Sequence, residues 1–308
     1  MADMVIQVKN LKKYFGDVKA VDNISFEVEQ GELFGFLGIN GAGKSTTINM
    51  LCTVLSPTGG EITVCGLRVG KENEKIRRRI GVVYQNNCLD GLLTVKENLM
   101  VRGALYEKNS KKLKENISKI CEILELTEVY GRRYEKLSGG QKRRCEIARA
   151  LVNAPKVMFL DEPTTGLDPA TRKKVWQCLD RLRREEKMTI FLTTHYMEEA
   201  AKASHIAMID GGVIKGYGTP FSLKETYAKD QLKLIPRQEA ADELMAYLAG
   251  EKAVVRKQEE FLIVDLPGSM AALPILNKVK EWVNGFEVVQ GSMDDVFLNV
   301  TGKKLAQA

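Results

Sequence analysis

Long apolar runs are missing from this chain of 308 residues. No stretch approaches the ~18 consecutive apolar residues of a membrane-crossing helix, and runs such as Val157 to Leu160 or Thr189 to Leu192 have strand length instead. A chain that does not cross a bilayer is expected. Met1-Ala2-Asp3-Met4 lacks the basic and then apolar pattern of a secretory signal, and Met1-Ala2 is wrong for myristoylation. Residence in the cytosol is therefore expected. The six cysteines, at 52, 65, 88, 121, 145 and 178, include no close pair of metal-ligand spacing, which argues for reduced, mostly packed thiols. Histidine is scarce, with two in the whole chain. Internal repeats and low-complexity segments are also missing, which excludes wholesale disorder and fibrous repeats.

The composition is ordinary for a globular protein, 44% apolar and 28% charged. At this length, one large domain plus a smaller one is the default. The formal charge of +6 is uneven: residues 221–308 carry 11 Lys and Arg against 13 Asp and Glu, leaving 35 against 27 in the first 220. A basic front portion suits nucleic acid, an anionic membrane face or a charged nucleotide, and net charge does not choose among them. The clusters Arg77-Arg78-Arg79, Lys142-Arg143-Arg144 and Arg181-Leu182-Arg183-Arg184 read as solvated helix faces with no site role.

Alternation in Val5-Ile6-Gln7-Val8 and Ile24-Ser25-Phe26-Glu27-Val28 predicts half-buried antiparallel strands ahead of a first buried strand, Leu33 to Leu37. A helix over about Ser45 to Leu55, a turn at 56–60, and strands near Glu61 to Cys65 and Ile80 to Tyr84 follow. From Val95 to about Tyr130, leucine and isoleucine at helical spacing predict a helical insert, the start of a helical subdomain over about 95–155. Val157 to Asp161 and Thr189 to Thr193 have the pattern of buried parallel strands between helices. Gly211-Gly212 predicts a hairpin, and residues 216–220 the exit from the domain, so the boundaries are 1–220 and 221–308. In the second part, strands at Gln231 to Ile235, Ala253 to Arg256, Phe261 to Leu266 and Phe286 to Val289, with helices near 237–249 and 270–284, give a βαββαβ order compatible with a small ferredoxin-like α+β domain.

Gly38-Ile39-Asn40-Gly41-Ala42-Gly43-Lys44-Ser45 fits the G-x-x-x-x-G-K-S/T phosphate loop in the required context, after an apolar strand and opening a helix. Its glycines let backbone N–H groups turn toward phosphate oxygens, and the helix presents its positive end to the same anion. Lys44 is expected on the β and γ phosphates and Ser45 on Mg²⁺, with Thr46 beside them. The loop alone does not choose between ATP and GTP. In Val157-Met158-Phe159-Leu160-Asp161-Glu162, an acidic pair ends a buried strand, where Asp161 can hold Mg²⁺ and Glu162 can orient or deprotonate the attacking water. Between them lies Leu137-Ser138-Gly139-Gly140-Gln141, a serine-glycine turn that also reads as a helix N-cap.

With this last motif the sequence resembles the ATP-binding cassette family, whose signature has these five letters. The resemblance runs over residues 4–220 and implies an α/β fold of the P-loop NTPase type: a RecA-like parallel sheet core, an N-terminal antiparallel β layer and a helical subdomain, here followed by the small α+β domain. It implies ATP and Mg²⁺ as ligands. It assigns Phe15, in preference to Tyr14, to adenine stacking, and Gln85 to sensing Mg²⁺ and the lytic water. Asp168 in Gly166-Leu167-Asp168 falls in the loop that crosses between subunits, and His195 is the γ-phosphate contact. His205 matches nothing and reads as structural. In the family two cassettes close head to tail, which implies a homodimer or a related partner with Ser138, Gly140 and Gln141 acting across the interface.

In the transporter branch, the resemblance further implies a separate polytopic permease docked near Leu93-Thr94-Val95-Lys96-Glu97-Asn98, which would hold the chain at the cytoplasmic face of the membrane. Residues 33–43 and Met293-Asp294-Asp295-Val296-Phe297-Leu298 resemble the daunorubicin-resistance ATPases, which implies drug-type export and a stabilising or regulatory C-terminal extension. The other class considered is a non-transport cassette ATPase acting on ribosomes or nucleic acid. Such proteins usually carry two cassettes in one chain or long coiled coils, and this sequence has neither. Direct nucleic-acid binding is not expected.

Overall fold

Strands β1 (Met4–Phe15) and β2 (Val18–Glu29) bury alternate side chains and pair antiparallel, with Val8 opposite Phe26 and Ile6 opposite Val28. The computed structural model describes residues 3–250 and 255–302. Strand β3 (Leu33–Leu37) is buried at all five positions, as expected for a strand covered on both faces. Helix α1 (Lys44–Leu51) follows directly and stops short of Leu55 because Thr53 adopts a positive φ of 63°, while the amides of Val54 and Leu55 turn back onto the Asn49 carbonyl. Strands β4 (Gly59–Val64) and β5 (Leu67–Arg68) complete an antiparallel sheet of order β2-β1-β4-β5.

A short helix α2 (Asn73–Arg77) leads to β6 (Ile80–Val83). The helical insert is made of two helices and a 3₁₀ turn. Helix α3 (Val95–Ala104) starts at a Thr94/Glu97 capping box, α4 (Ser110–Ile123) at Asn109, and the turn covers Thr127–Val129. A second 3₁₀ turn, Tyr134–Lys136, precedes α5 (Gly139–Leu151).

Strand β7 (Val157–Asp161), α6 (Pro169–Glu186), β8 (Thr189–Thr194), α7 (Met197–Ala200), β9 (His205–Asp210) and β10 (Val213–Gly218) complete the first unit, Met1–Thr219. Its larger sheet has the order β10-β9-β3-β8-β7-β6, parallel except for β10, which returns antiparallel through Gly211 and Gly212 at φ 55° and 79°. Phe26 from the antiparallel sheet lies 5.5 Å from the rings of Phe34 and Phe36 and 6.0 Å from Phe191. Each ring excluded from water contributes about 1.5–3 kcal/mol, so this cluster is the seam that joins the two sheets. The adjacent C-terminal ends of β3, β7 and β8 then carry Gly38, Glu162 and His195, where open parallel sheets bind ligands.

The second unit, Pro220–Ala308, opens with α8 (Pro220–Tyr227) and β11 (Asp230–Pro236). Helix α9 (Ala241–Gly250), β12 (Val255–Gln258), β13 (Phe261–Leu266), α10 (Ala272–Val279) and β14 (Val283–Val289) follow, then α11 (Met293–Thr301). The sheet order β12-β13-β11-β14, all neighbours antiparallel, is the ferredoxin-like arrangement. Two boundaries differ from expectation. The helix expected to reach 284 ends at Val279, because Val283 is recruited into the sheet opposite Pro236, and β12 runs to Gln258. The part of that strand expected at Ala253 and Val254 lies outside the described residues. No helix among the described residues is long and apolar enough to cross a membrane.

Candidate nucleotide site

Gly41 and Gly43 hold φ of 81° and 111°, which side chains rarely adopt, and a Cβ on Gly43 would strike the Ala20 carbonyl oxygen. Only glycine takes this loop conformation without strain. Lys44, 5% exposed, donates from Nζ to the carbonyls of Gly38 (2.7 Å) and Ile39 (3.2 Å) and lies 3.3 Å from Glu162 Oε1. Its ammonium is thus aimed across the loop, the position from which a point charge serves phosphate. Ile39, Asn40, Gly41, Gly43, Lys44, Ser45, Thr46, Gln85 and Glu162 line one cleft of about 240 Å³. Gly38 and Ala42 support it from behind: a Cβ on Gly38 would strike the Ile209 carbonyl, and Ala42 is 2% exposed.

Glu162 adopts φ 45°, a conformation that costs a non-glycine residue about 1–3 kcal/mol. Its amide offsets part of that cost by donating to both the carbonyl and Oγ1 of Thr193, each at 3.1 Å. Thr193 Oγ1 donates in turn to Asp161 Oδ1 at 2.6 Å. Glu162 Oε2 accepts from Thr165 Oγ1 at 3.2 Å and faces His195 Nδ1 at 3.4 Å, outside hydrogen-bond geometry. That ring nitrogen is buried without a hydrogen-bond partner among the described residues. The imidazole packs on Tyr196 at 4.1 Å between centroids, and the Arg172 guanidinium covers the other ring at 4.1 Å. His205 pairs with Glu32 at 2.9 Å, away from the cleft lining, as a structural group.

Ser45 and Gln85 line the cleft and Asp161 lies outside its lining with Oδ1 accepting from Thr193; all three carry oxygen donors, which suit a hard ion of the Mg²⁺ type. No cluster of three His, Cys, Asp or Glu that could hold a metal ion occurs among the described residues.

Besides Gly38, Ala42, Asp161 and His195, five expected site residues stay outside the lining of this cleft. Phe15 is half exposed at the end of β1, with the Lys13 ammonium 5.0 Å from its ring. Tyr14 is committed elsewhere, its hydroxyl donating to Asp22 at 2.6 Å. Ser138 and Gln141 cap α5 reciprocally, Gln141 N donating to Ser138 Oγ and Ser138 N to Gln141 Oε1. Gly140 packs against Thr171, where a Cβ would collide with the threonine methyl. Asp168 caps α6, and the hydrogen bonds from Thr171 hold its carboxyl below the usual range.

One reading from the sequence is corrected. Lys142-Arg143-Arg144 is not a solvated face: Arg143 is 6% exposed and donates to the carbonyls of Tyr84, Asp161, Glu162 and Pro163, while Arg144 reaches the Leu124 and Glu125 carbonyls. Glu146 and Glu199, both essentially buried, were not singled out at all. Glu199 accepts from Thr164, Trp176 and Thr194. The signal available was the single charge of Glu146 within the otherwise apolar run Cys145-Glu146-Ile147-Ala148.

Comparison with known proteins accords with this geometry. The ABC transporter family profile matches residues 21–165. The Nod factor export ATP-binding protein I of Rhizobium sp. (strain N33) is 38% identical over 99% of both chains. The daunorubicin/doxorubicin resistance ATP-binding protein DrrA of Streptomyces peucetius is 36% identical over 96% of this chain and 92% of that protein. Among solved structures, the dimeric ATP-binding cassette MJ0796 bound to ADP and Pi superposes with a TM-score of 0.64 at 29% identity, covering 70% of this chain and 98% of that one. CbiO1 of Clostridium perfringens, part of the transporter complex cbiONQ, gives a TM-score of 0.68 at 25% identity over 80% and 94%. The phosphate loop, the acidic strand end and these full-length likenesses agree: the chain belongs to the ATP-binding cassette family, as the ATP-binding, ATP-hydrolysing subunit of an ABC transporter.

Proposed function

We propose that this chain binds MgATP in the cleft around Lys44 and hydrolyses it between two cassettes to drive a separate membrane permease that exports a lipophilic or drug-like compound. The observation that carries the reading is the convergence of Lys44 and His195 on the two oxygens of Glu162, at 3.3 and 3.4 Å. Lys44 and the loop amides hold the phosphates, Ser45, Asp161 and Gln85 hold Mg²⁺, Glu162 orients the attacking water and His195 takes the γ-phosphate. Phe15 supports the adenine. Ser138, Gly140, Gln141 and Asp168 act on the ATP of a second copy or a related cassette, a reading supported by their place at the starts of α5 and α6, where helix amides are presented to an anion. Contacts made only while γ-phosphate is present turn hydrolysis into a shift between closed and open dimers.

Export is supported by the Nod factor and daunorubicin relatives. For permease docking, the stretch Leu93–Asn98 is largely committed internally, with Val95 and Asn98 buried and Thr94 and Glu97 forming the cap. The exposed Leu92, Val101 and Leu105 beside it supply the apolar contact instead. Residues 220–308 are read as an accessory domain that stabilises or regulates the dimer, and the chain works at the cytoplasmic face of the membrane through its permease.

Copurification from detergent-solubilised membranes, followed by ATPase assay, tests this function. A polytopic membrane protein that stimulates phosphate release is the expected outcome. Recovery with ribosomes or nucleic acid and no membrane protein would overturn the reading.

A further inference from the structure

Helix α5 does more than begin with the signature. Three residues apart on it, Arg143 and Glu146 are buried, and their polar contacts go to the backbone on both sides of Gln85 and to the end of β7. Arg143 donates to the carbonyl of Tyr84 at 2.6 Å, immediately before Gln85, and to those of Asp161 and Glu162 at 3.2 Å and of Pro163. Glu146 Oε1 accepts from the amides of Cys88 (2.7 Å) and Leu89 (2.9 Å), just after Gln85, and from the Tyr134 hydroxyl (3.2 Å). Its other oxygen accepts from Arg149 Nε at 2.9 Å, whose guanidinium also donates to Val82 O at 2.8 Å on β6. A planar guanidinium can span several carbonyls at fixed angles, and a buried carboxylate that gathers amides is equally directional. Loops otherwise take up many conformations, and a misplacement of about 1 Å at a reacting centre can cost ~100-fold in rate.

We propose that Arg143 and Glu146 are positioning residues for ATP hydrolysis: together they hold Gln85 in register with Glu162 and tie both to the helix that starts at Ser138. The proposal rests on the roles assigned above to Gln85 and Glu162. Its consequence is that contact between the start of α5 and the ATP of a partner cassette bears on the water-handling side chains of this chain's own site. Neither residue lines the cleft, so their loss acts on the rate of the chemical step and leaves affinity alone.

The test uses the full-length protein and the variants R143M, R143K, E146Q, Q85A and E162Q, each checked for a native circular dichroism spectrum. R143M is expected to lower kcat at least tenfold, while KM and the Kd for a fluorescent ATP analogue stay within threefold; R143K, a single ammonium in place of the fork, falls between. Because Arg143 acts through Gln85, the double variant R143M/Q85A is expected to be no slower than the slower single variant. E146Q is expected to speed amide hydrogen exchange at Cys88 and Leu89 at least tenfold and to leave β7 unchanged. Unchanged kcat in R143M and E146Q, strictly multiplicative losses in the double variant, affinity falling in step with kcat, or unaltered exchange at Cys88 and Leu89 would each overturn the proposal. Should R143M fail to fold, R143K and E146Q decide by the same measures. Full turnover in E162Q would overturn the underlying reading of the site, and the positioning proposal with it; lost turnover there with unaffected R143K and E146Q overturns the positioning proposal alone.

Discussion

Lys44 Nζ and Glu162 Oε1 lie 3.3 Å apart with 5% and 10% of their side chains exposed. An almost buried lysine and glutamate tolerate each other only while paired, yet their expected roles are separable. Replacing Lys44 by Ala removes the phosphate contact and strands the carboxylate, so ATP affinity should fall by about tenfold or more, ~1.4 kcal/mol. Glu162→Gln keeps the shape and removes the charge that orients water. It should retain ATP, lose roughly 100-fold in phosphate release, and persist as an ATP-bound dimer in size-exclusion chromatography. Unchanged release would sink the role given to Glu162.

Gly81 on β6 packs so tightly on α5 that a Cβ would collide with the Ala150 carbonyl oxygen. Backbone cannot swing aside, so Gly81→Ala should destabilise by about 1–3 kcal/mol, read as a lower urea midpoint. Gly131→Ala, where a Cβ meets nothing within 4 Å, is the matched control and should unfold like the parent.

Glu199, 2% exposed, gathers three donors that come from the loop after β7, from α6 and from the end of β8 beside His195. Glu199→Ala would leave Thr164, Trp176 and Thr194 unpaired and should cost roughly 3–5 kcal/mol. A melting temperature within a degree or two of the parent protein would contradict the hub role.

Burial pushes the Cys145 thiol up to about 12 and the Cys121 thiol up to about 11. At pH 8 their thiolate fractions are about one in ten thousand and one in a thousand. Iodoacetamide on the native protein should therefore mark exposed Cys88 and spare both until the chain unfolds, as mapped by peptide mass spectrometry. The sign for stability follows: unfolded thiols ionise near 9 and these folded ones later, so their contribution is complete below pH 9 and is lost as pH rises from 9 toward 12.

Pro220–Ala308 has its own core, with Leu232, Leu234, Leu244, Leu262 and Val264 buried together. A chain ending at Thr219 should therefore stay folded and bind ATP while its ATP-dependent dimer weakens, by sedimentation. Unchanged dimerisation, turnover and permease coupling would dismiss a stabilising or regulatory role.

The phosphate loop, the acidic strand end and the capped helix start at Ser138 were legible because each is written in adjacent residues with local backbone demands. The half-buried strands at Val5 to Val8 and Ile24 to Val28 followed from alternation for the same reason. Arg143 was misread because a lysine-arginine run looks identical whether its middle residue meets water or four carbonyls; the donors and acceptors that decide it come from Tyr84 and from residues 161–163. Val283 went the same way, its helical neighbourhood overruled by pairing with Pro236.

Sequence alone determined which groups stand at the phosphate loop and at the acidic strand end, since glycine turns, a lysine at a helix start and carboxylates at a strand end are chemistry fixed over a few bonds. Only the tertiary structure decided which of those groups meet. The parallel order of β3, β8 and β7 sets Lys44, His195 and Glu162 side by side, and the burial of α5 turns Arg143 and Glu146 from surface charges into the groups that grip the chain around Gln85. Burial is a property of the whole fold, and a buried charge is worth only what its distant partners make it.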